Sequence, residues 1–112
     1  LGVSVEYDKN SKKFIKNFVQ GGLSGSCIKP VALYMVKEIK SAVKTPVIAM
    51  GGIQSLKDLF EFMAVGADAF QIGTANFIKP SICTSLALEL AEFIQKNGFR
   101  DFSELKKIIR ED

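Results

Sequence analysis

Val47-Ile48-Ala49-Met50-Gly51-Gly52-Ile53, and further on Ala69-Phe70-Gln71-Ile72-Gly73-Thr74, decide the fold. The first run is apolar, too short for a helix, and lacks the alternation of a half-exposed strand, so it reads as a buried parallel strand. Ala69 to Ile72 reads as a second short strand. Both run directly into glycine. Between them Ser55 suits a helix N-cap, Leu56, Leu59, Phe60 and Met63 recur at the spacing of one helical face, and Gly66 marks the stop. Strand, helix, strand in that order implies a parallel pair joined by a crossover helix.

Outward from this unit the pattern continues. Pro30 suits a first helical turn, and Leu33, Val36, Ile39 and Val43 predict a helix with a buried stripe before the first strand. After the second strand, Thr74-Ala75-Asn76-Phe77 fits a short extra helix. A longer helix is predicted from about Ser81, with Ile82, Leu86, Leu90, Phe93 and Ile94 on one face and Asn97-Gly98 as its stop signal. Leu105, Ile108 and Ile109 belong to a short terminal helix. The expected class is α/β, with helices outside a parallel sheet. A whole (β/α)8 barrel takes roughly 250 residues, so 112 residues fit the C-terminal portion of one, incomplete as a stand-alone barrel. Residues 30–112 supply its last helix-strand-helix-strand-helix units.

Residues 1–29 form a loop and hairpin region. Val3, Val5 and Tyr7 alternate as in a strand, Asp8-Lys9-Asn10-Ser11 reads as a turn, and Phe14 to Val19 returns. Gly21-Gly22-Leu23-Ser24-Gly25 is a loop whose glycines suit positive φ or a close backbone approach.

Composition excludes several functions. The net charge of +3 comes from 15 basic and 12 acidic residues mixed along the chain, which leaves no nucleic-acid footprint. Lys9, Lys12, Lys13 and Lys16 are interrupted by Ser11, Phe14 and Ile15 and read as a solvated turn. No apolar stretch approaches the ~20 residues that span a bilayer. The chain opens on Leu1, which leaves processing or truncation open. Cys27 and Cys83 stand alone in a chain without histidine, so neither a zinc site nor a disulfide framework is expected, as suits a reducing cytosol. Free cysteines of this kind are ordinarily small buried hydrophobes.

Both strands end in a glycine-bearing turn at the end where barrels and open α/β sheets bind ligands. Gly51-Gly52 removes two side chains, and Gly73-Thr74 adds N–H groups and a hydroxyl, so adjacent turns are able to clamp one phosphate. The bland reading is that these glycines only permit tight turns.

Taken together, Gly21-Gly22-Leu23-Ser24-Gly25, Ile28-Lys29-Pro30-Val31-Ala32-Leu33, Met50-Gly51-Gly52-Ile53, Gly66-Ala67 and Ile72-Gly73-Thr74-Ala75-Asn76-Phe77 closely resemble the C-terminal third of dihydroorotate dehydrogenases. Lys-Pro-Val-Ala-Leu and Gly-Thr-Ala-Asn-Phe look most like the class 1B branch, while Ser26-Cys27 departs from its usual Pro-Ala. The resemblance implies a cytoplasmic, oligomeric enzyme of pyrimidine synthesis that oxidises dihydroorotate to orotate with FMN, and a partner subunit carrying FAD and an iron–sulfur cluster. It places Gly25, Gly51, Gly52, Gly73 and Thr74 at FMN-binding positions, the last four nearest the phosphate. Ser24 and Lys29 lie beside that set, and Lys29 reads as a surface or helix-start charge. The family's cysteine base, flavin-contacting lysine and orotate-holding asparagines all lie upstream of the matched region, so no catalytic residue and no metal ligand is assigned here. Two other readings stand beside it: another FMN or phosphate-binding barrel, such as the flavin domain of dihydropyrimidine dehydrogenase, and a non-catalytic half-barrel that assembles with another chain.

Overall fold

The computed structural model describes residues 1–111 and shows a mixed α/β architecture. Strands β1 (Gly2–Asp8) and β2 (Lys13–Val19) form an antiparallel hairpin, with Gly2 opposite Val19 and Asp8 opposite Lys13. The Asp8 carboxylate closes the turn by accepting hydrogen bonds from Asn10 N–H at 2.9 Å and the Ser11 hydroxyl at 2.6 Å. The Tyr7 and Phe14 rings meet across the strands at a tilt of 52°, with centroids 5.1 Å apart. The four lysines of this region are exposed on the hairpin, as a solvated turn requires.

A short 3-10 turn (Ser26–Ile28) leads into α1 (Lys29–Ala42), which begins one residue before the expected proline. Then follow β3 (Ile48–Met50), α2 (Leu56–Ala64), β4 (Ala69–Gln71), the one-turn α3 (Ala75–Ile78), α4 (Ile82–Lys96) and α5 (Phe102–Glu111). Strands β3 and β4 are parallel, with Ala49 opposite Phe70, and α2 makes the crossover. The expected αβαβα order is therefore present.

Local chemistry sets the element ends. Ser55 accepts from Asp58 N–H at 3.3 Å while the Asp58 carboxylate accepts from Ser55 N–H at 2.9 Å, a reciprocal capping box in which Asp takes the usual Glu position. At the other end of α2, Gly66 N–H donates to Met63 and Ala67 N–H to Phe62, which satisfies carbonyls that the helix leaves open. Phe99 and Gly98 repeat this arrangement on Ile94 and Gln95 at the end of α4.

The core lies between the β3–β4 pair and helices α1, α2, α4 and α5, centred on the fully buried Phe62 and Met63 with Leu59, Ile82, Leu86 and Leu105. Three expectations are corrected. Val47 to Met50 is not buried on both faces: Ala49 is 1% exposed, whereas Ile48 and Met50 are 59% and 58% exposed. Their face of the strand has no layer over it. For the same reason the buried stripe of α1 is Ala32 and Val36, which face β3 and α2, while Ile39 and Val43 remain exposed. Cys27 and Cys83 are also exposed rather than core residues.

One tie holds the far end of this layer together. Asp68, just before β4, accepts from Val47 N–H at 2.9 Å, Lys40 Nζ at 3.1 Å, Arg110 at 3.1 Å and Lys106 Nζ at 3.2 Å, joining α1 and α5 to both strands. Burial acts to raise its pKa, but the Val47 N–H and the three cations outweigh it and hold the carboxyl far below its ordinary value of 3.8. A depressed carboxylate pKa contributes stability that is present above the unfolded value and lost as pH falls through the folded one. Asp68→Asn removes charge-assisted bonds and leaves three cations facing each other, so we expect a loss of about 2 to 3 kcal/mol near neutrality. The loss should vanish when thermal unfolding is followed in strong acid, where the parental carboxylate is itself protonated.

Candidate functional site

The turns that end β3 and β4 face the loop before α1 across one groove of about 410 Å³. Gly25, Gly51, Gly52, Gly73 and Thr74 all line it, together with Ser24, Ile28, Met35, Gln54 and Gln71. Residues from three separate segments are thus brought to one wall. A volume of this order is in the range of small-molecule sites.

Packing gives two of these glycines a reason of their own. Gly51 and Gly52 have φ of +120° and +75°. A Cβ on Gly51 would lie 2.8 Å from Ala32 Cβ, and one on Gly52 would lie 2.9 Å from both Gly25 O and Lys29 Cβ. The start of α1 is seated directly on this turn. Gly73 differs, for its φ is not positive and nothing lies within 4 Å of a Cβ built on it. Its small size serves no neighbour in the chain. Gly21 and Gly22 also have no positive φ and no close neighbour, so in that loop only Gly25, at φ +95°, matches the expectation.

Lys29 is more than a surface charge. Its Nζ reaches Asp58 Oδ1 at 2.6 Å and Glu61 Oε2 at 2.7 Å, tying the first turn of α1 to α2. The hydrogen bonds that Lys29 donates to Asp58 and then Glu61 raise its pKa. Burial works against the Asp58 charge, but Lys29, Gln54 N–H and the Ser55 hydroxyl keep that carboxyl below its ordinary range. Since Asp58 Oδ2 also accepts from Gln54 N–H at 2.9 Å, this one carboxylate holds the loop after Gly52 as well. Asp58 was missed in the sequence because an acidic residue in a first helical turn ordinarily signals only a cap; the three-residue spacing from Ser55 was the available clue.

The groove is polar only through backbone, hydroxyl and amide groups. None of its lining residues is a carboxylate, amine, thiol or phenol, and no cluster of metal-ligating side chains occurs among the described residues. The Gly73 and Thr74 N–H groups donate to no acceptor among the described residues. Such a donor set fits an anionic oxygen and offers no general acid or base of its own.

A parallel βαβ layer with a donor-lined groove at the C-terminal ends of its strands is the arrangement of a cofactor- or phosphate-binding α/β protein. Residues 2–94 match the family profile of dihydroorotate dehydrogenase, and the chain belongs to that family. It is 44% identical over 102 residues to the "Dihydroorotate dehydrogenase B (NAD(+)), catalytic subunit" of Petrotoga mobilis, covering 91% of this chain and 34% of the relative. The protein of the same name from Geobacter metallireducens is 48% identical over 98 residues, covering 88% of this chain and 32% of the relative. That from Parabacteroides distasonis is 44% identical over 105 residues, covering 94% and 34%. The chain thus spans about a third of the length of these relatives. Their names agree with the class 1B resemblance read from Lys29 to Leu33 and from Gly73 to Phe77.

Proposed function

We propose that this chain supplies the last two strand-and-helix units of a (β/α)8 barrel and the FMN phosphate site of a dihydroorotate dehydrogenase. Three observations support the barrel. The strands are parallel, their helices lie on one face, and Ile48 and Met50 on the opposite face are more than half exposed, as residues of a barrel interior would be when the other strands are absent. The rest of the barrel would also cover Val31, Tyr34 and Met35 of α1, which are now exposed. The bulk of the substrate site, including the acid/base group, then comes from the remaining two thirds.

The observation that carries the cofactor assignment is the convergence of Gly25, Gly51, Gly52, Gly73 and Thr74 on one groove that has unpaired N–H groups and no carboxylate. Backbone donors from the Gly51-Gly52 and Gly73-Thr74 turns would hold the phosphate, with the Thr74 hydroxyl as a further contact. Bound there, FMN supplies the acceptor for the hydride that dihydroorotate loses on becoming orotate. The residues of this chain bind and orient; none of them moves the substrate proton. The NAD-linked character of the relatives supports a partner subunit with FAD and an iron–sulfur cluster as the route for electrons, and co-purification of such a subunit would establish it.

Thr74→Ala tests the site gently. Backbone donors stay in place and one hydroxyl contact to a charged group disappears, worth about 1.5 to 3 kcal/mol. FMN affinity, read by flavin fluorescence in the assembled enzyme, should fall by roughly ten to a hundredfold. Parental affinity in the folded variant would mean that the phosphate lies elsewhere.

A further inference from the structure

Two carbonyls at the β4–α3 turn are tied to a side chain outside the groove. Asn76 Nδ2 donates to Ile72 O at 2.7 Å and to Gly73 O at 3.0 Å. The backbone N–H of Asn76 also donates to Gly73 O at 3.0 Å. On the other end of the same amide, the Cys83 thiol at the start of α4 donates to Asn76 Oδ1 at 3.5 Å. A thiol donor on the oxygen and two carbonyl acceptors on the nitrogen leave the amide one satisfactory orientation.

The consequence follows from peptide geometry. The peptide unit is planar and trans, so its C=O and N–H point in opposite directions. No cis bond occurs among the described residues. With the carbonyls of Ile72 and Gly73 both drawn onto Asn76, the N–H groups of the next residues, Gly73 and Thr74, are turned away from it. Gly73 and Thr74 line the groove and Asn76 does not. Neither N–H group has an acceptor among the described residues.

We propose that Asn76 is a positioning residue of the phosphate site: its side-chain amide fixes two successive peptide planes so that the Gly73 and Thr74 N–H groups point together at the phosphate of a flavin nucleotide. The inference rests on the phosphate reading of the groove given above. Asn76 touches no ligand and acts only through the two peptides. Without the amide, the Ile72–Gly73 plane loses this tie and the Gly73–Thr74 plane keeps only the Asn76 backbone N–H, so the donors must be ordered more fully at the moment of binding instead of beforehand. Cys83 holds the amide in place, which gives an exposed thiol outside the groove a role in the site that no thiol chemistry requires.

The experiment compares FMN with riboflavin, which has the same ring and ribityl chain but no phosphate, in the assembled enzyme and its Asn76→Ala and Asn76→Ser variants. Dissociation constants come from flavin fluorescence, with circular dichroism as the folding control. The parental protein is expected to prefer FMN strongly. Asn76→Ala should lower FMN affinity about tenfold or more, the size of weakening two charge-assisted bonds, and leave riboflavin affinity unchanged. Asn76→Ser, whose hydroxyl can still donate to one carbonyl, should fall between the two. An equal weakening of both ligands would make Asn76 a fold residue only and overturn the proposal, as would an undiminished preference for FMN in Asn76→Ala. If Asn76→Ala does not fold, Asn76→Ser decides alone, and a parental ratio there overturns the proposal. A parental protein that binds both ligands equally would instead show that the phosphate reading itself has failed.

Discussion

Gly73→Asp in the assembled enzyme is expected to abolish FMN retention while the protein stays folded. The position has no positive φ and open space where a Cβ would stand, so the backbone tolerates a side chain. What the groove does not tolerate is the charge. Two unit charges about 4 Å apart repel by about 4 kcal/mol at an effective dielectric constant of about 20, and the phosphate is close to a dianion. Affinity should drop more than about a thousandfold. Gly73→Ala separates the two effects, since it adds the methyl group without the charge and should lose far less. The same substitution at Gly51 or Gly52 is a poorer test. There the positive φ and the 2.8 to 2.9 Å approaches to Ala32, Lys29 and Gly25 would disturb the fold before any phosphate is involved. A folded Gly73→Asp protein that keeps FMN at parental affinity would leave the glycines as turn-formers only.

Supplying the remaining two thirds of the proposed barrel in trans is expected to change dihydroorotate oxidation from undetectable to measurable. The chain contains no histidine, and no titratable side chain lines the groove. Removing a positioned acid or base typically costs 10² to 10⁴ in rate. Loss of the substrate-holding residues removes the orientation term as well, which is worth several further orders of magnitude. Purified alone, the chain should therefore not bleach flavin on addition of dihydroorotate. Bleaching by the isolated chain would show a base within it that neither its sequence nor its groove reveals. Equal activity from the other piece alone would show that this chain contributes nothing to turnover.

The order of elements was legible because its punctuation is chemical. Pro30, Ser55, Gly66 and Asn97-Gly98 each mark an element end through a local hydrogen-bonding or dihedral requirement, and each sits at or beside the observed boundary. The five candidate FMN residues were legible as turn glycines and a threonine, and the family motif singled them out from the chain's other glycines. Side-chain partnerships were not legible. Asp68 meets Lys40, Lys106 and Arg110 across 28, 38 and 42 positions, and Lys29 meets Asp58 across 29. No periodicity encodes such pairs, because they depend on how helices are placed in space.

Local sequence determined the parallel βαβ unit, its glycine turns and its membership in the dihydroorotate dehydrogenase family, since caps, turns and apolar runs act over a few residues. Tertiary structure decided which face of each element lies open. Val47 to Met50 reads as uniformly apolar, yet Ala49 is covered by helices while Ile48 and Met50 are not. Alternate strand residues point to opposite faces, and only the placement of neighbouring layers tells which face has a partner. The same holds at the β4–α3 turn. Asn76 belongs by sequence to a short helix, and only the folded chain shows its amide donating to the Ile72 and Gly73 carbonyls.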